Sequence, residues 1–594
     1  MPDPSTEIRA RLAARREAVT REDRRDARLA GARLATFALA LALGWLAFGA
    51  GRLAPTWLAL PGAAFLALAV LHDRVIRARA RARRAVAFHE AVLARLEERW
   101  AGAGVPGDAL APPEHLYAQD LDLFGRGSLF ELLCAARTRP GEERLAAWLL
   151  SPAGPDEIRA RQGAIRDLAP RLDLREDLAV LGDDVQAGVD AAGLARWGEA
   201  PALLPAWLRP AALAVAAAAL AAAVAWGTGA AGALPFLGVL LAAWAVQRAA
   251  RGPVARVLGA LDRPAREMEV LALLLARLER EPFEDARLAG LRAALCEPAR
   301  ASARIGALRR VAARLEWARN QLFAPFAFAL LWTPLHAAAV ERWRLREGGR
   351  LGRWLDAVAD LEALASLAGY AHEHPEDPFP EIAPPSGGAA LEGEGLRHPL
   401  LAAAACVPND VRLGGGGPRA LLVSGSNMSG KSTYLRTVGT NVVLALAGAP
   451  VRAARLRLSP LSIGATLRIQ DSLQAGRSRF YAEITRLREI WTLAGGALPA
   501  LFLLDEILHG TNSHDRRIGA EAVLRGLVAR GAIGLVTTHD LALTALAGTD
   551  GALANAHFED QVRGGEVSFD YLLRPGVVTH SNALALMRAV GLEV

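Results

Sequence analysis

Gly425-Ser426-Asn427-Met428-Ser429-Gly430-Lys431-Ser432 holds the single lysine of this 594-residue chain; all the rest of its 69 Lys and Arg side chains are arginine. The octet fits the phosphate-loop pattern, in which glycines let backbone N–H groups face phosphate oxygens and a slim ammonium reaches between them, where a planar guanidinium fits poorly. Upstream, Leu421-Leu422-Val423 reads as a buried strand entering the loop, and downstream Tyr434 to Ala447 reads as a helix leaving it. This strand-loop-helix context implies a nucleoside triphosphate site, with Gly425, Ser426, Asn427, Met428, Ser429, Gly430, Lys431, Ser432 and Thr433 around the phosphates. In this reading Lys431 neutralises the β and γ phosphates and the Ser432 hydroxyl binds Mg²⁺.

Two more short apolar runs end in polar chemistry. Leu501 to Leu504 runs into Asp505-Glu506, where the first carboxylate can hold Mg²⁺ through water and the second can orient or deprotonate an attacking water. Leu535 to Thr538 runs into His539, placed for a neutral imidazole to sense the γ-phosphate. Alternating short strands and helices over this part of the chain predict an α/β domain with a mostly parallel sheet.

The rest of the chain reads differently. It is 52% hydrophobic and 22% charged, with mean hydropathy +0.20, and the apolar residues are concentrated rather than spread. Leu34 to Gly51 is 18 uncharged residues, Leu53 to Leu71 is 19, and Pro210 to Gln247 is 38, broken near Gly227-Thr228-Gly229. These lengths predict two transmembrane helical hairpins. Arg24, Arg25 and Arg28 precede the first, Arg74 to Arg84 follow it, and Arg248, Arg251 and Arg256 follow the second, so the positive-inside bias puts both ends of each hairpin in the cytoplasm. The expected location is the inner (cytoplasmic) membrane, multi-pass. A further uncharged run, Asn320 to Val340, would put Lys431 on the wrong side if it spanned; parity assigns it to a buried or interfacial helix. The net charge of +7 is accounted for by these topology-setting arginines and does not by itself argue for nucleic acid. Cys134, Cys296 and Cys406 are isolated, with no ligand-like spacing, so reduced thiols and no metal site are expected.

The expected order is a basic cytoplasmic helix (1–33), transmembrane hairpin 1 (34–72), a helical linker (73–110), a helical domain (111–205), hairpin 2 (210–247), a helical continuation (248–375) and the nucleotide-binding domain (376–594). Within it, Pro140-Gly141 and Pro152 to Pro155 read as helix stops, and His374 to Pro385 as a linker.

Several segments occur in a distinctive order: Val407 to Val411, the loop Gly425 to Arg436, Asp471 to Ser478, Asp505-Glu506-Ile507, Gly510-Thr511 with Asp515, Thr538-His539 and Asn555-Ala556-His557. Together they resemble the ATPase domain of the MutS mismatch-repair family, and Leu121 to Asp167, Asp356 to Ala371 and Arg397-His398-Pro399 resemble that family's core and its link to the ATPase. The resemblance implies an ABC-type P-loop ATPase with ATP and Mg²⁺, preceded by an all-α MutS-core-like domain. It implies a homodimer with composite ATP sites, in which Ser478 completes the partner's site at the γ-phosphate. Glu506, Lys431, His539 and Ser478 would be catalytic, and Ser432 and Asp505 would hold the metal.

The departures are as informative. Ser426 replaces the family's proline, Ser429-Gly430 its Gly-Gly, Ser478-Arg479 its Ser-Thr, Leu508-His509-Gly510 its Gly-Arg-Gly, and Cys406 an aromatic that packs on the base. These bear on nucleotide affinity and hydrolysis rate and leave the phosphate and metal chemistry intact. No Phe-x-Glu mismatch-reading domain precedes the core, the stretch Glu281 to Arg353 is short for a DNA clamp, and no nuclease-like appendix follows. The expected function is therefore a membrane-anchored, ATP-dependent DNA-binding clamp switched by nucleotide, with DNA contact through arginines and no support for mismatch specificity. The alternative is an ATP-gated scaffold that binds a membrane or protein partner without DNA. A transporter ATPase fits less well, because the spans offer no polar pathway.

Overall fold

The computed structural model describes residues 3–182, 191–318, 320–384, 387–426, 428–468, 479–508, 513–547, 551–563 and 566–578. Contacts divide the chain into two compact units, one of residues 1–90, 136–141 and 173–362, the other of 91–135, 142–172 and 363–594.

The first unit is helical. Asp3 caps the opening helix, Pro4–Gly44, by accepting from the Thr6 N–H at 3.2 Å. The helix continues through one π turn at Trp45–Gly49, and the chain returns along Ala59–Leu96. Beyond the apolar stretch the two helices are joined by a ladder of charges. Asp23 accepts from Arg79 at 2.9 Å and Arg83 at 3.1 Å, Asp26 from His72 at 2.8 Å and also from Arg79, and Arg16 pairs with Glu90 at 2.8 Å. Single surface pairs stabilise by at most about 1 kcal/mol, but a shared-carboxylate network holds two long helices in one register.

The second hairpin is Leu208–Gly227 and Ala233–Gly259, turned at Gly229, with Trp226 and Phe236 stacked at the turn. These are four helices long and apolar enough to cross a membrane by length and composition, and no more than 17% of any apolar window is buried, so most of that surface faces outward. Further on, Asp262–Leu278 packs with Ala301–Trp317, and Leu271, Leu275, Ile305 and Leu308 on these helices are buried. The uncharged run after residue 320 is broken: a short helix, Ala324–Ala329, is followed by Leu331 at φ +48° and then by the helix Trp332–Glu373.

One local reading is corrected. Pro140-Gly141 does not stop a helix; it lies in the first turn of Arg139–Leu150, where proline costs nothing because its missing N–H would have no intrahelical acceptor, and Thr138 Oγ1 caps that turn by accepting from the Gly141 N–H at 3.1 Å. The linker expected over His374 to Pro385 also carries a short strand.

That strand is β1 (Glu381–Ile382), the first of the second unit. It is followed by β2 (Ala390–Leu396), β3 (Asn409–Gly414), β4 (Ala420–Ser424), β5 (Arg455–Leu458), β6 (Ser462–Thr466), β7 (Ala500–Leu504), β8 (Ile533–Thr538), β9 (Leu553–Arg563) and β10 (Glu566–Pro575). A four-stranded sheet has the order β1-β5-β2-β3, and a six-stranded sheet the order β10-β9-β4-β8-β7-β6, parallel except for the β9-β10 hairpin. Every residue of β7 and β8 is buried, as continuous apolar runs in a sheet covered on both faces must be. On one face Leu422, Phe502 and Leu504 meet Ile490, Leu524 and Leu527 from the helices Arg479–Leu493 and Ser513–Ala529. A Cβ at Gly534 would lie 2.2 Å from Phe502 Cδ2, so the Phe502 ring rests on β8 only because position 534 is glycine.

Because β8 lies between β4 and β7, the ends of three parallel strands bring Gly425, His539 and Asp505 to one edge of the sheet. A crevice at the carboxyl ends of parallel strands is where such sheets bind ligands.

Candidate functional site

The loop after β4 turns into the helix Lys431–Ala447 through Gly430, whose φ of +103° is open to glycine and strained for other residues. Among the described residues no side chain caps this helix, so its first N–H groups are open to an acceptor such as a phosphate oxygen. Lys431 is buried, and its ammonium donates to the Gly425 carbonyl at 3.0 Å and the Ser426 carbonyl at 2.6 Å. Burial lowers its pKa, opposed by the nearby carboxylates of Glu506, Asp505 and Asp560. Ser429 Oγ donates to the Ser426 carbonyl at 2.9 Å, tightening the loop, while Met428 projects outward. Ser426 Oγ, at the position where the resembling family carries proline, is buried with no hydrogen-bond partner among the described residues.

At the ends of β7 and β8, Ser432 Oγ donates to Asp505 Oδ2 at 2.7 Å. A hydroxyl and a carboxylate side by side are oxygen donors of the kind that would hold Mg²⁺, directly or through water. The other Asp505 oxygen accepts from Thr537 Oγ1, which in turn accepts from the Glu506 N–H at 3.0 Å. Glu506 has φ +51°, an uncommon backbone region for glutamate, and this hydrogen bond holds it there. Its carboxylate meets His539 Nε2 at 2.6 Å, with both side chains about one-third exposed.

The structure thus brings together Gly425, Ser426, Met428, Ser429, Gly430, Lys431, Ser432, Thr433, Asp505, Glu506 and His539. Asn427 and Ser478 lie outside the described residues, as do His509, Gly510 and Thr511. The chain leading to Ser478 is anchored: the buried Asp120 carboxylate accepts from the N–H groups of Leu467 at 2.6 Å and Arg468 at 2.7 Å, and Asp122 pairs with Arg468 at 2.7 Å and with Arg436, on the helix after the loop, at 3.2 Å.

Two residues of the site, Thr537 and Tyr571, escape a reading by motif. Thr537 lies inside a strand that reads as pure core. Beside Gly430 a cleft of about 150 Å³ is lined by Cys406, Asn409, Thr433, Tyr434, Phe558 and Tyr571, among others. Cys406 is among the residues lining the cleft, and the exposed aromatic there is Tyr571, from β10. Tyr571 has φ +55° in an irregular stretch of the β9-β10 ladder, held by Asn409: its amide donates to the Tyr571 carbonyl at 2.9 Å and its oxygen accepts from the Leu573 N–H at 2.7 Å. Asn409 lies in the quoted segment Val407 to Val411; for Tyr571 the sequence offers no spacing signal.

Residues 421–593 match the profile of MutS domain V. The chain is 37% identical over 243 residues to the "DNA mismatch repair protein MutS 2" of Halobacterium salinarum, covering 40% of this chain and 27% of that protein. It is 36% identical over 265 residues to the "Endonuclease MutS2" of an Anaeromyxobacter species, with 42% and 31% covered, and 34% identical over 242 residues to the "DNA mismatch repair protein MSH3" of Phaeosphaeria nodorum, with 39% and 21% covered. The chain spans less than a third of the length of each of these relatives. The matches support MutS family membership.

Proposed function

We propose that this chain is a membrane-anchored ATPase of MutS type, in which nucleotide binding and hydrolysis switch a DNA-binding clamp. The observation that carries the ATPase reading is the line of three strand ends: Lys431 and Ser432 after β4, Asp505 and Glu506 after β7, and His539 after β8, joined by the contacts Ser432–Asp505 at 2.7 Å and Glu506–His539 at 2.6 Å.

ATP is the substrate. Lys431 exchanges its carbonyl partners for phosphate oxygens, and the N–H groups at the start of the Lys431–Ala447 helix donate to the remaining phosphate oxygens. Ser432 and Asp505 would hold Mg²⁺, which would supply positive charge against the phosphates. The Glu506 carboxylate accepts a proton from the attacking water, with His539 fixing its orientation from the other side. Tyr571 and the other walls of the Cys406 cleft flank the loop where a nucleobase would lie. A second copy supplies Ser478 to complete the site. Hydrophobic helices whose apolar faces point outward support anchoring in a bilayer, and the MutS likeness supports DNA as the clamp's partner.

The test is the ATPase rate of the full chain in nanodiscs, with and without homoduplex, mismatched and branched DNA, and with Lys431→Ala as background. Stimulation by a DNA structure is the expected result. Hydrolysis that no DNA changes, with no DNA bound at low salt, overturns the clamp in favour of the scaffold reading, which the exposed apolar helices would equally support.

A further inference from the structure

The chain between the helices Ala301–Trp317 and Trp332–Glu373 is an aromatic elbow on the surface of the first unit. Trp317 stacks on Trp332 with ring centroids 6.1 Å apart, and Phe323 meets both edge-on at 6.3 Å and 5.1 Å. Trp332 Nε1 donates to the Arg314 carbonyl at 2.8 Å, which locks the elbow onto the preceding helix. Its outer side is strongly apolar and uncovered: Leu322 is 86% exposed, Phe326 63% and Trp317 57%. A rigid platform that presents large apolar side chains to the outside is built to be covered.

The elbow's place in the fold says by what. Its inner side, at Leu331 and Leu335, packs on Ala212 and Val215 of one hairpin helix and Ala243 and Val246 of the other, and Gln247 donates to the Phe328 carbonyl at 3.1 Å. Ala243 precedes Arg248, the first charge after the hairpin, by five residues, about 7 Å of helix. The elbow therefore meets the hairpin about one turn inside its apolar run, at the arginine-flanked end. Exposed Arg310 and Arg314 stand on the helix leading into it. Tryptophan and phenylalanine below a rim of arginine is the chemistry of the boundary between lipid headgroups and acyl chains.

We propose that Trp317 and residues 320–332 form a membrane-interface element, with Leu322 and Phe326 inserted into the headgroup–acyl boundary of the leaflet at the arginine-rich end of the second hairpin. The proposal rests on the reading that this hairpin spans a bilayer. It makes the contact between chain and membrane a platform, not two bare hairpins, and it couples the bilayer surface to the start of the long Trp332–Glu373 helix.

The experiment places a nitroxide, carried on an azidophenylalanine, at Leu322, Phe326, Leu220 or Arg292 of the full chain in nanodiscs of phosphatidylcholine and phosphatidylglycerol. ATPase activity reports that each labelled protein is folded. Accessibility to oxygen and to a water-soluble nickel chelate is read by electron paramagnetic resonance. The expected oxygen-to-nickel ratio is several-fold higher at Leu322 and Phe326 than at Arg292, and lower than at Leu220. An aqueous ratio at Leu322 and Phe326, with Leu220 in hydrocarbon, overturns the elbow and leaves the anchored hairpin standing. Low accessibility to both reagents at Leu322 and Phe326 overturns it in favour of a protein contact or a second copy. An aqueous ratio at Leu220 overturns the membrane reading and the elbow with it.

Discussion

Thr537 gives the sharpest test of the site because it touches no nucleotide in this reading, yet its hydroxyl links the two acidic residues. Thr537→Val keeps shape and volume while removing one hydrogen bond to the Asp505 carboxylate and the acceptor of the Glu506 N–H at 3.0 Å. A hydrogen bond to a charged group contributes about 1.5–3 kcal/mol. Lost from the geometry that positions both carboxylates, that amount corresponds to about a ten- to hundredfold fall in kcat. The backbone at Glu506, held at φ +51°, would also relax towards a commoner conformation and carry the carboxylate off its 2.6 Å contact with His539. The assay is steady-state ATP hydrolysis over a range of Mg²⁺ concentrations, in which the Val variant should be slower and need more Mg²⁺. Thr537→Ser keeps the hydroxyl and should retain most of the rate. A Val variant with unchanged rate and Mg²⁺ dependence refutes the argument, and a Ser variant as slow as the Val variant shows that packing, not the hydroxyl, was lost.

Lys431→Ala should abolish hydrolysis in the same assay, and Glu506→Gln should lower it by about 10²–10⁴-fold, the usual worth of a positioned base, while trapping an ATP-bound dimer visible by light scattering. Tyr571→Ala should raise KM for ATP, since stacking a base on an aromatic contributes about 1–3 kcal/mol, and Tyr571→Phe should not; equal effects of the two would remove the ring from base recognition. His398 is buried, and burial pushes its pKa down from 6.5 to about 4. The unfolded chain therefore takes up a proton that the folded one refuses, so stability falls as pH drops from 6.5 towards 4, by about 2 kcal/mol at pH 5. Urea titrations at pH 7 and pH 5 should show that loss, reduced in His398→Gln. For topology, a membrane-impermeant thiol reagent should reach Gly229→Cys from outside and Cys134 only from the cytoplasmic side; labelling of Cys134 from outside alone would reverse the orientation.

Much of the candidate site is legible because its chemistry sits at strand ends, where a run of buried apolar residues stops at a glycine, a carboxylate pair or a histidine. The local signals at Leu421 to Val423, Leu501 to Leu504 and Leu535 to Thr538 are strong enough to find these ends one at a time. What they leave out is neighbourhood. Nothing local says that β8 inserts between β4 and β7, and it is this order that puts His539 against Glu506. Thr537 was hidden for the same reason: threonine in a strand ordinarily fits a pleated surface, and only the pairing turns its hydroxyl towards Asp505. Tyr571 depends on an irregularity in the β9-β10 ladder fixed by a side chain more than 160 residues earlier, a contact with no periodic signature. Pro140 was misread because the same residue can start or stop a helix, and Thr138, two positions before it, decides which.

The charge ladder between the first two helices has a consequence for how two copies would find each other. The Pro4–Gly44 helix spends about thirty residues, roughly 45 Å, before its apolar run begins at Leu34. A flexible tether of that length would average about 30 Å from its anchor and wander freely. A braced rod instead fixes a height. Under the proposed bilayer anchoring, copies so held would search for each other in a plane and not in a volume. Because Asp23, Arg79 and Arg83 stand partly in water, added salt would loosen that brace and, in the anchored chain proposed above, give the search back its third dimension.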